Sequence, residues 1–313
     1  MVDVETTSLT IKVTLNPGHS MNYHSHKNRD EVWVVISGEG KTIVDGMEQM
    51  VKPGDVITMS AGCRHTVIAD TELKLIDARK DLSVQVHPDD DYAKMKEHGQ
   101  LGKTEMWYVL DAARDAKLIY GLRQDCTKKE MQKALAEGTV MKYLQKVPIH
   151  KDDLFFIPAG TIHAIGAGAL VAEIQESSNL TYRLYDYDRI GKDGKKRELH
   201  IDKALDVADL QGSAEPRQPL RVLKYRPGMA SELLIRCKYF EVYRMLINTE
   251  RRQTVHYRAE RMAFRVLLCM DGCGTISYDE GTVNFYKGDC VFVPADSEVL
   301  TIHGQAHFLD IRG

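Results

Sequence analysis

Four residues in the middle of the chain have the types and the spacing of a metal-binding set. Gln85 and His87 are separated by one residue in a strand-like run, Glu105 begins the run EMWYVL, and His163 ends the segment DDLFFIPAGTIH. Because alternate side chains of a strand share a face, Gln85 and His87 can bind one ion together. Two imidazoles, a carboxylate and a weaker amide oxygen suit zinc and leave coordination positions open, as catalysis requires.

A second set of candidate ligands lies nearer the N-terminus. It combines three histidines with one carboxylate, a combination that suits Zn, Mn, Fe or Ni: His24, His26, Glu31 and His65. The spacing HxHx4E followed by a distant histidine resembles the metal motif of the cupin family. This pattern predicts a second divalent metal site. The alternative is a cupin that retains these ligands for stability or binds metal adventitiously.

One short pattern occurs three times and connects the two sets. The copies are GDVITMSAGCRH, DDLFFIPAGTIH and GDCVFVPADSEV, at residues 54–65, 152–163 and 288–299. In each copy an aspartate precedes an apolar run, and the copies end on His65, His163 and Val299. Such turn-strand units among many short β-rich runs predict a mainly β protein built of cupin (jelly-roll) barrels. Two copies therefore carry a candidate ligand, and the third does not.

Strands and a few inserted helices can be assigned from the hydrophobic pattern. Alternating or fully apolar runs predict strands at 31–37, 41–46, 81–86, 105–110, 117–121 and 169–175. A helix is predicted at 127–138, where Thr127 and Glu130 can form a capping box and Gly138 can end the helix. Another helix is predicted at 202–210.

The domain boundaries follow from the repeat and from one linker-like segment. Residues 211–228 are rich in Gly, Pro and Gln and show no apolar period, which predicts a linker. We expect an N-terminal cupin at 1–80 and a catalytic cupin region with a helical insertion at 81–212. A C-terminal cupin-like barrel without metal ligands is expected at 213–313.

Charge and hydropathy exclude several classes of function. The formal net charge is −3, with Lys and Arg scattered among Asp and Glu, so the basic stripe that nucleic-acid binding requires is absent. The first residues, MVDVETTSLT, resemble no signal peptide, and no apolar run is long enough to span a membrane. We therefore expect a cytoplasmic protein with a small-molecule partner and with neither nucleic acid nor membrane as a partner.

Four longer segments, which occur together and in order, resemble the type I mannose-6-phosphate isomerase family. They are DLSVQVHPDDDYA, GKTEMWY, IPAGTIHAIGAG and SSNLTYRLYDYDR, and the similarity extends over the C-terminal three-quarters of the chain. The resemblance implies zinc bound by His87, Glu105 and His163, with Gln85 joining them. It also implies that Arg183, in the last of these segments, is the active-site arginine of the family.

The first 80 residues do not follow the type I pattern. The segment MNYHSHKNRDEVWVVISGEGKTIVDGMEQMVKPGD is similar to the small cupin of bifunctional mannose-1-phosphate guanylyltransferase/mannose-6-phosphate isomerases. The chain thus resembles a combination of two isomerase lineages. Near their junction, Lys74 matches a lysine that type I enzymes hold near the active site.

These resemblances imply an aldose–ketose isomerase that interconverts mannose 6-phosphate and fructose 6-phosphate through a cis-enediolate. Zinc would polarise the substrate carbonyl and stabilise the enediolate charge. Arg183 and Lys103 are the candidates for binding the substrate phosphate. Lys74, Lys103, Glu173 or a zinc-bound water could carry the proton, and the sequence does not distinguish among them.

Alternatives stay open for the residues and for the whole chain. Lys103 is alternatively a solvated loop lysine, and Arg183 alternatively pairs with Asp186 or Asp188. The chain could instead be a sugar-phosphate-binding cupin protein with little or no isomerase activity. An isomerase could also hold its catalytic metal at the N-terminal set. Both a monomer and a homodimer fit the sequence, and epimer preference depends on pocket shape.

Overall fold

The computed structural model describes most of the chain after residue 80 and a group of strands before it. The described residues are 2–7, 10–15, 24–25, 31–34, 40–51, 56–59, 63–69, 73–75 and 81–312, the last range without 177, 191–193, 215, 217–221, 251–252, 260–262 and 280. Before residue 80, side chains are described only at 40–51, 57, 63 and 64.

The chain forms two compact units, each made of segments that are distant in sequence. One unit comprises Met1–His24, Ile36–Met50 and Arg64–Gln218, and the other comprises Ser25–Val35, Val51–Cys63 and Pro219–Gly313. The first unit therefore contains the central metal-binding set, and the second contains the C-terminal strands. The three-domain division at residues 80 and 212 stays a prediction.

Before residue 80, the described segments form strands in three small sheets. The strands are β1 (Val2–Thr7), β2 (Thr10–Leu15), β3 (His24–Ser25), β4 (Glu31–Val34), β5 (Gly40–Val44), β6 (Met47–Val51), β7 (Val56–Met59), β8 (Arg64–Ala69) and β9 (Leu73–Leu75). The sheet orders are β1-β2-β9, β3-β8-β5-β6 and β4-β7. The strands predicted at 31–37 and 41–46 correspond to β4 and β5.

The middle of the chain forms two antiparallel sheets, which together we name the central barrel. Its elements are β10 (Val84–Val86), α1 (Asp90–Lys96), β11 (Glu105–Ala112), β12 (Lys117–Leu122), α2 (Lys128–Ala136), a 3-10 turn (Val140–Lys142), β13 (Leu144–Pro148), β14 (Leu154–Ile157), β15 (His163–Ile165), β16 (Ala169–Gln175), β17 (Tyr182–Tyr185) and α3 (Ile201–Val207). One sheet has the order β13-β12-β15-β10-β17, and the other has the order β14-β11-β16. A mainly β fold with a few helices is confirmed.

Each side of the five-stranded sheet packs into a different apolar core. On the inner side, Leu118 of that sheet shares a core with Trp107 and Phe155 of the three-stranded sheet. On the outer side, Val84 and Val86 pack with residues of α2 and α3 such as Met131 and Leu205. Since successive side chains of a strand alternate between faces, the residue between the two valines must point into the central barrel.

The helices confirm two of the sequence expectations and add one element. The Thr127 side chain accepts a hydrogen bond from the Glu130 backbone, and the Glu130 carboxylate accepts one from the Thr127 backbone at 2.8 Å, so the capping box is present. Helix α3 occupies most of the helix predicted at 202–210. Helix α1, of seven residues, was not predicted. None of the described helices has the length and hydropathy of a membrane-spanning segment.

The C-terminal residues form one antiparallel sheet of eight strands. The strands are β18 (Lys224–Arg226), β19 (Met229–Arg236), β20 (Glu241–Asn248), β21 (Val255–Tyr257), β22 (Arg265–Tyr278), β23 (Gly281–Tyr286), β24 (Cys290–Val293) and β25 (Leu300–Arg312). The main order is β18-β19-β20-β25-β22-β23, with β21 paired to β25 and β24 paired to β22. Strand β18 is exposed and lies within the segment predicted as a linker.

Strand register identifies the residue of the C-terminal sheet that is equivalent to Glu105. Glu105 lies opposite Ile157, and Arg265 lies opposite Val293. Because Ile157 and Val293 occupy the same position of the repeat, just before its proline, Arg265 is the counterpart of Glu105. In the C-terminal sheet a cation thus occupies the place that an anion has in the central barrel.

The charge of Arg265 is balanced by a fully buried aspartate, Asp310. The Asp310 carboxylate accepts a hydrogen bond from the Tyr257 hydroxyl at 2.6 Å and contacts Arg265 Nη1 at 3.4 Å and Arg312 Nη2 at 2.8 Å. A buried carboxylate is stable only when it is paired and hydrogen-bonded. Asp310 therefore pairs with the guanidinium groups of Arg265 and Arg312 and neutralises their charge within the C-terminal sheet.

We predict that Asp310→Ala destabilises the C-terminal sheet by roughly 3–5 kcal/mol, because the substitution leaves two guanidinium groups without their buried partner. Chemical denaturation measures the loss. The control is Asp271→Ala, because Asp271 is 58% exposed and 4.0 Å from Lys287. That change should cost less than about 0.5 kcal/mol. Equal midpoints for the two variants would contradict the assignment of Asp310 as a buried ion-pair centre.

Candidate metal centre

Strand pairing brings His163, Gln85 and Arg183 into one row across the five-stranded sheet. Strand β10 lies between β15 and β17, and Gln85 is directly opposite His163 on one side and Arg183 on the other. Residues that face each other in an antiparallel pair project from the same side of the sheet. The row continues to Tyr120, which lies opposite His163 in β12. All of these side chains therefore project into the central barrel.

Glu105 and His87 reach the same place from two other directions. Glu105 begins β11 in the three-stranded sheet and lies fully buried between Ile157 and Gln175 of the neighbouring strands. His87 follows β10 and is the next residue after Gln85 on the inner face. Its carbonyl oxygen accepts a hydrogen bond from Gly160 N at 2.8 Å, which attaches His87 to the turn before His163.

A glycine allows the loop before Glu105 to pass close to the backbone after His87. Gly102 N donates to Asp90 Oδ1 at 3.1 Å, and Lys103 N donates to Pro88 O at 3.0 Å. A Cβ atom at position 102 would lie 2.4 Å from the Asp89 carbonyl carbon. Any larger residue would therefore push the loop, and Glu105 with it, away from His87.

The side chains of His87, Glu105 and His163, which we name the buried triad, place their ligand atoms within 4.8 Å of one another. His87 Nε2 is 3.1 Å from Glu105 Oε1, and His163 Nε2 is 3.7 Å from Glu105 Oε2. The side chains of the triad are at most 2% exposed. The chain thus collects two imidazoles and one carboxylate in the buried interior of the central barrel.

Backbone carbonyl groups fix the tautomers of both histidines. His87 Nδ1 donates to Leu180 O at 2.7 Å, and His163 Nδ1 donates to Thr161 O at 2.8 Å. With Nδ1 as the protonated nitrogen, each neutral ring has its lone pair on Nε2, which points to the centre of the triad. This arrangement, a ligating imidazole held by a hydrogen bond on its other nitrogen, is typical of metal sites.

The hydrogen bonding inside the triad fits a divalent cation. His87 Nε2 and Glu105 Oε2 are buried and have no hydrogen-bond donor among the described residues, whereas Glu105 Oε1 lies 2.7 Å from the Lys103 ammonium. Two acceptors at 3.1 Å repel each other, and a buried acceptor without a donor costs free energy. A metal ion at this position would accept all of these lone pairs. Gln85 lies beside the set, since its amide nitrogen is 3.3 Å from His163 Nε2.

Electrostatics keep the triad in the form that binds a cation. Burial alone would raise the pKa of Glu105, but the positive charge of the neighbouring Lys103 opposes burial and favours the ionised carboxylate. Burial lowers the pKa of His163 to about 4. The Lys103 ammonium lies 2.7 Å from Glu105 Oε1. At neutral pH, Glu105 is therefore ionised and His163 is neutral.

A second carboxylate, that of Glu173, lies beside the buried triad. Its Oε1 is 4.0 Å from Lys103 Nζ, and its Oε2 accepts a hydrogen bond from Trp107 Nε1 at 3.0 Å. Partial burial, and then the negative charge of Glu105, raise the pKa of Glu173 above its usual range. About a third of the Glu173 side chain stays exposed, at 34%, so this carboxylate is accessible to a solute.

Comparison with proteins of known function adds independent information to this geometry. The chain is 37% identical over 236 residues to mannose-6-phosphate isomerase ManA of Bacillus subtilis, covering 74% of this chain and 71% of that protein. It is 36% identical over 243 residues to mannose-6-phosphate isomerase of Streptococcus mutans, covering 74% and 73%. The chain belongs to the mannose-6-phosphate isomerase family.

Family models and solved structures agree with this membership in the mannose-6-phosphate isomerase family. The cupin domain of mannose-6-phosphate isomerase matches residues 230–312, and a general cupin domain matches residues 11–79. The crystal structure of the Bacillus subtilis isomerase superposes with a TM-score of 0.68 at 34% identity, covering 76% of this chain and 74% of that one. A phosphomannose isomerase variant from Salmonella typhimurium, at 14% identity and a TM-score of 0.57, shares the fold.

The structure brings most of the predicted central residues together. Gln85, the buried triad and Arg183 share the interior of the central barrel. The Lys103 side chain is 9% exposed and contacts Glu105, which differs from a solvated loop lysine. Arg183 Nη1 donates to Glu198 O at 2.8 Å. The aspartate at position 186 pairs with Arg189 and Arg197.

The structure does not describe the side chains of the site residues predicted near the N-terminus. The side chains of His24, Glu31, His65 and Lys74 and the whole of His26 are outside the described residues. Only the backbone positions of the first four are described, in β3, β4, β8 and β9. The second metal site, and the role of Lys74, stay predictions.

Sequence reasoning gave no role to Trp107 and none to the two carbonyls that fix the histidine tautomers. One signal for Trp107 was available. It lies two residues after Glu105 in the same strand, so it must share the inner face. The carbonyls of Leu180 and Thr161 carry no signal in the sequence, because every residue has a carbonyl group.

We predict that Gly102→Ala lowers divalent-metal affinity by at least about tenfold, because the loop that carries Glu105 must move away from His87. The control is Gly99→Ala in the same loop. Position 99 has φ +83° and no atom within 4 Å of an added Cβ, so that change brings only backbone strain. Metal titration measures both variants. Equal affinities would show that the close approach at position 102 does not position Glu105.

We also predict that the buried triad of the purified chain holds a divalent ion and that His163→Ala contains one ion fewer per chain than wild type, because the substitution removes one of the two imidazole ligands. The matched control is His150→Ala, since His150 is in the same unit and its side chain is 76% exposed. That variant should keep the ion. Elemental analysis after dialysis measures the metal content, and retention of the ion by His163→Ala would contradict the site.

Proposed function

We propose that this chain is a mannose-6-phosphate isomerase that interconverts mannose 6-phosphate and fructose 6-phosphate with bound zinc. The observation that carries the proposal is the buried triad, whose lone pairs converge in a member of the isomerase family. The proton moves between C1 and C2 of the sugar through a cis-enediolate. The negative charge of this enediolate develops in the transition state, where it needs a nearby cation.

Zinc is the proposed ion because of the ligand types. Two neutral imidazole nitrogens and one carboxylate form a common catalytic zinc set, and such sites keep a position open for substrate. In this chain His87, Glu105 and His163 would hold the ion, with Gln85 as a fourth ligand. Bound zinc would supply Lewis acidity toward the carbonyl oxygen of the substrate.

We propose that Arg183 binds the substrate phosphate. Its register opposite Gln85 supports this proposal, because both residues are on the inner face of the five-stranded sheet. Glu198 O accepts from Nη1, and His200 Nδ1 accepts from the Arg183 backbone at 3.2 Å, so the segment 198–200 restrains this arginine. A restrained planar guanidinium can donate two parallel hydrogen bonds to the oxygens of a phosphate.

Lys103 and Glu173 are the described candidates for handling the proton, with Lys74 as a third. The charge of Lys103 is directed toward Glu105 and Glu173, so this lysine is better placed beside the reacting carbons than beside a distant phosphate. The raised pKa of Glu173 shifts this carboxyl toward neutral pH, where a general acid or base is most efficient.

The decisive assay follows conversion of mannose 6-phosphate to fructose 6-phosphate by metal-replete wild type, His87→Ala and His24→Ala. We expect turnover by wild type and a loss of more than about 100-fold in His87→Ala, because the buried triad loses a ligand. We expect His24→Ala to lower activity only modestly.

Two outcomes would contradict this account. No turnover by wild type would favour a sugar-phosphate-binding cupin protein, which a binding measurement with mannose 6-phosphate would then identify. A larger loss in His24→Ala than in His87→Ala would move the chemistry to the N-terminal set. Glucose 6-phosphate, assayed in parallel, measures epimer preference.

A further inference from the structure

Trp107 contacts both a triad histidine and the Glu173 carboxylate. It is 1% exposed. Its ring meets the His163 ring edge to face, with centroids 5.3 Å apart and an interplanar angle of 79°. Its indole Nε1 donates to Glu173 Oε2 at 3.0 Å. A buried indole N–H needs an acceptor, and here the acceptor is a carboxylate beside the metal-binding group.

The hydrogen bond determines how the Glu173 carboxylate is oriented. Trp107 lies directly opposite Glu173 in the β11–β16 pair, so both side chains point into the central barrel. With Oε2 bonded to the indole, Oε1 is the oxygen that faces Lys103 Nζ, at 4.0 Å. The terminal torsion of a glutamate is broad, so without this donor the carboxylate could rotate.

The C-terminal sheet shows which residue occupies this position where only packing is required. There, Leu267 lies opposite Asp310 just as Trp107 lies opposite Glu173, because Arg265 is the counterpart of Glu105. Leu267 is fully buried, so an aliphatic side chain fills the space. Asp310 is held by tyrosine and arginine side chains instead. Packing alone therefore does not require an indole at this position of the repeat.

We propose that Trp107 is a positioning residue, whose indole N–H holds the Glu173 carboxylate with one oxygen directed at Lys103 and the buried triad for the isomerisation step. The inference rests on the proposed isomerase function. A carboxylate that is aligned for the transition state contributes to kcat, whereas binding of the ground-state substrate depends on other groups. Loss of the N–H should therefore lower kcat and leave KM nearly unchanged.

The kinetic test is Trp107→Phe, which keeps an aromatic ring against His163 and removes the donor. We expect kcat to fall about tenfold or more, with KM within about twofold and metal content unchanged. The matched control is Tyr108→Phe, which removes a buried donor, the hydroxyl bonded to Asp152 Oδ1 at 2.8 Å, from the adjacent residue on the opposite face. Wild-type kcat in Trp107→Phe, or a loss of kcat that only follows loss of metal, would overturn the proposal.

A double-mutant cycle with Glu173→Gln shows whether Trp107 acts through Glu173. If it does, the double variant should have nearly the kcat of Glu173→Gln alone, because the indole then has no ionised carboxylate to position. If the loss of kcat in the double variant equals the product of the losses in the two single variants, the proposal is overturned, because Trp107 and Glu173 then act independently.

Indole NMR tests the hydrogen bond without any dependence on activity. The chain has two tryptophans, Trp33 and Trp107, so a ¹⁵N-labelled sample should show two indole signals. Trp33→Phe assigns them. We expect Glu173→Gln to shift the Trp107 signal and to leave the Trp33 signal unchanged. If Glu173→Gln leaves the Trp107 signal unchanged, the positioning role is overturned. If Glu173→Gln shifts the Trp107 signal but the wild-type protein shows no turnover, the proposed function is overturned and the hydrogen bond is established.

Discussion

The central barrel is organised around two buried acceptors that face each other, His87 Nε2 and Glu105 Oε1, 3.1 Å apart. The lone pairs of these atoms repel unless a cation lies between them, and burial removes the water that would otherwise solvate them. The fold brings them together through separate contacts. Carbonyl groups hold the imidazoles, Gly102 lets the loop before Glu105 approach, and the five-stranded sheet aligns Gln85 with His163.

The C-terminal sheet shows how the same register stabilises a barrel without that cation. Arg265 replaces Glu105 in the strand pairing, and the buried carboxylate of Asp310 is neutralised by two guanidinium groups. The charge balance is therefore complete within the protein. In the central barrel Lys103 contacts Glu105 Oε1, but His87 Nε2 and Glu105 Oε2 have no hydrogen-bond donor among the described residues, so a bound cation would complete their interactions. The same position of the repeat therefore carries a paired arginine in one sheet and a carboxylate with a free lone pair in the other.

The sequence was sufficient to predict those features that depend on spacing along the chain. The i, i+2 pair of Gln85 and His87, the third repeat copy without a histidine, and the capping box at Thr127 are all local patterns with a physical cause. Helix α1 was not predicted, and its length does not explain this, because α3 also has seven residues and overlaps a predicted helix.

Long-range contacts could not be predicted in the same way. The hydrogen bond from Trp107 to Glu173 joins residues 66 positions apart, and it becomes visible only when the register of β11 and β16 is known. The direction of Lys103 toward Glu105 likewise depends on how the loop folds back, and a residue type alone does not specify it.

The central claim is that the metal ion belongs to the buried triad, and anomalous diffraction from crystals of the zinc-loaded chain tests it most directly. Data collected on both sides of the zinc absorption edge locate the ion without any assumption about ligands. The account predicts an anomalous peak within bonding distance of His87 Nε2, His163 Nε2 and the Glu105 carboxylate. A zinc peak only among the ligands of the N-terminal set, with none at the triad, would contradict it.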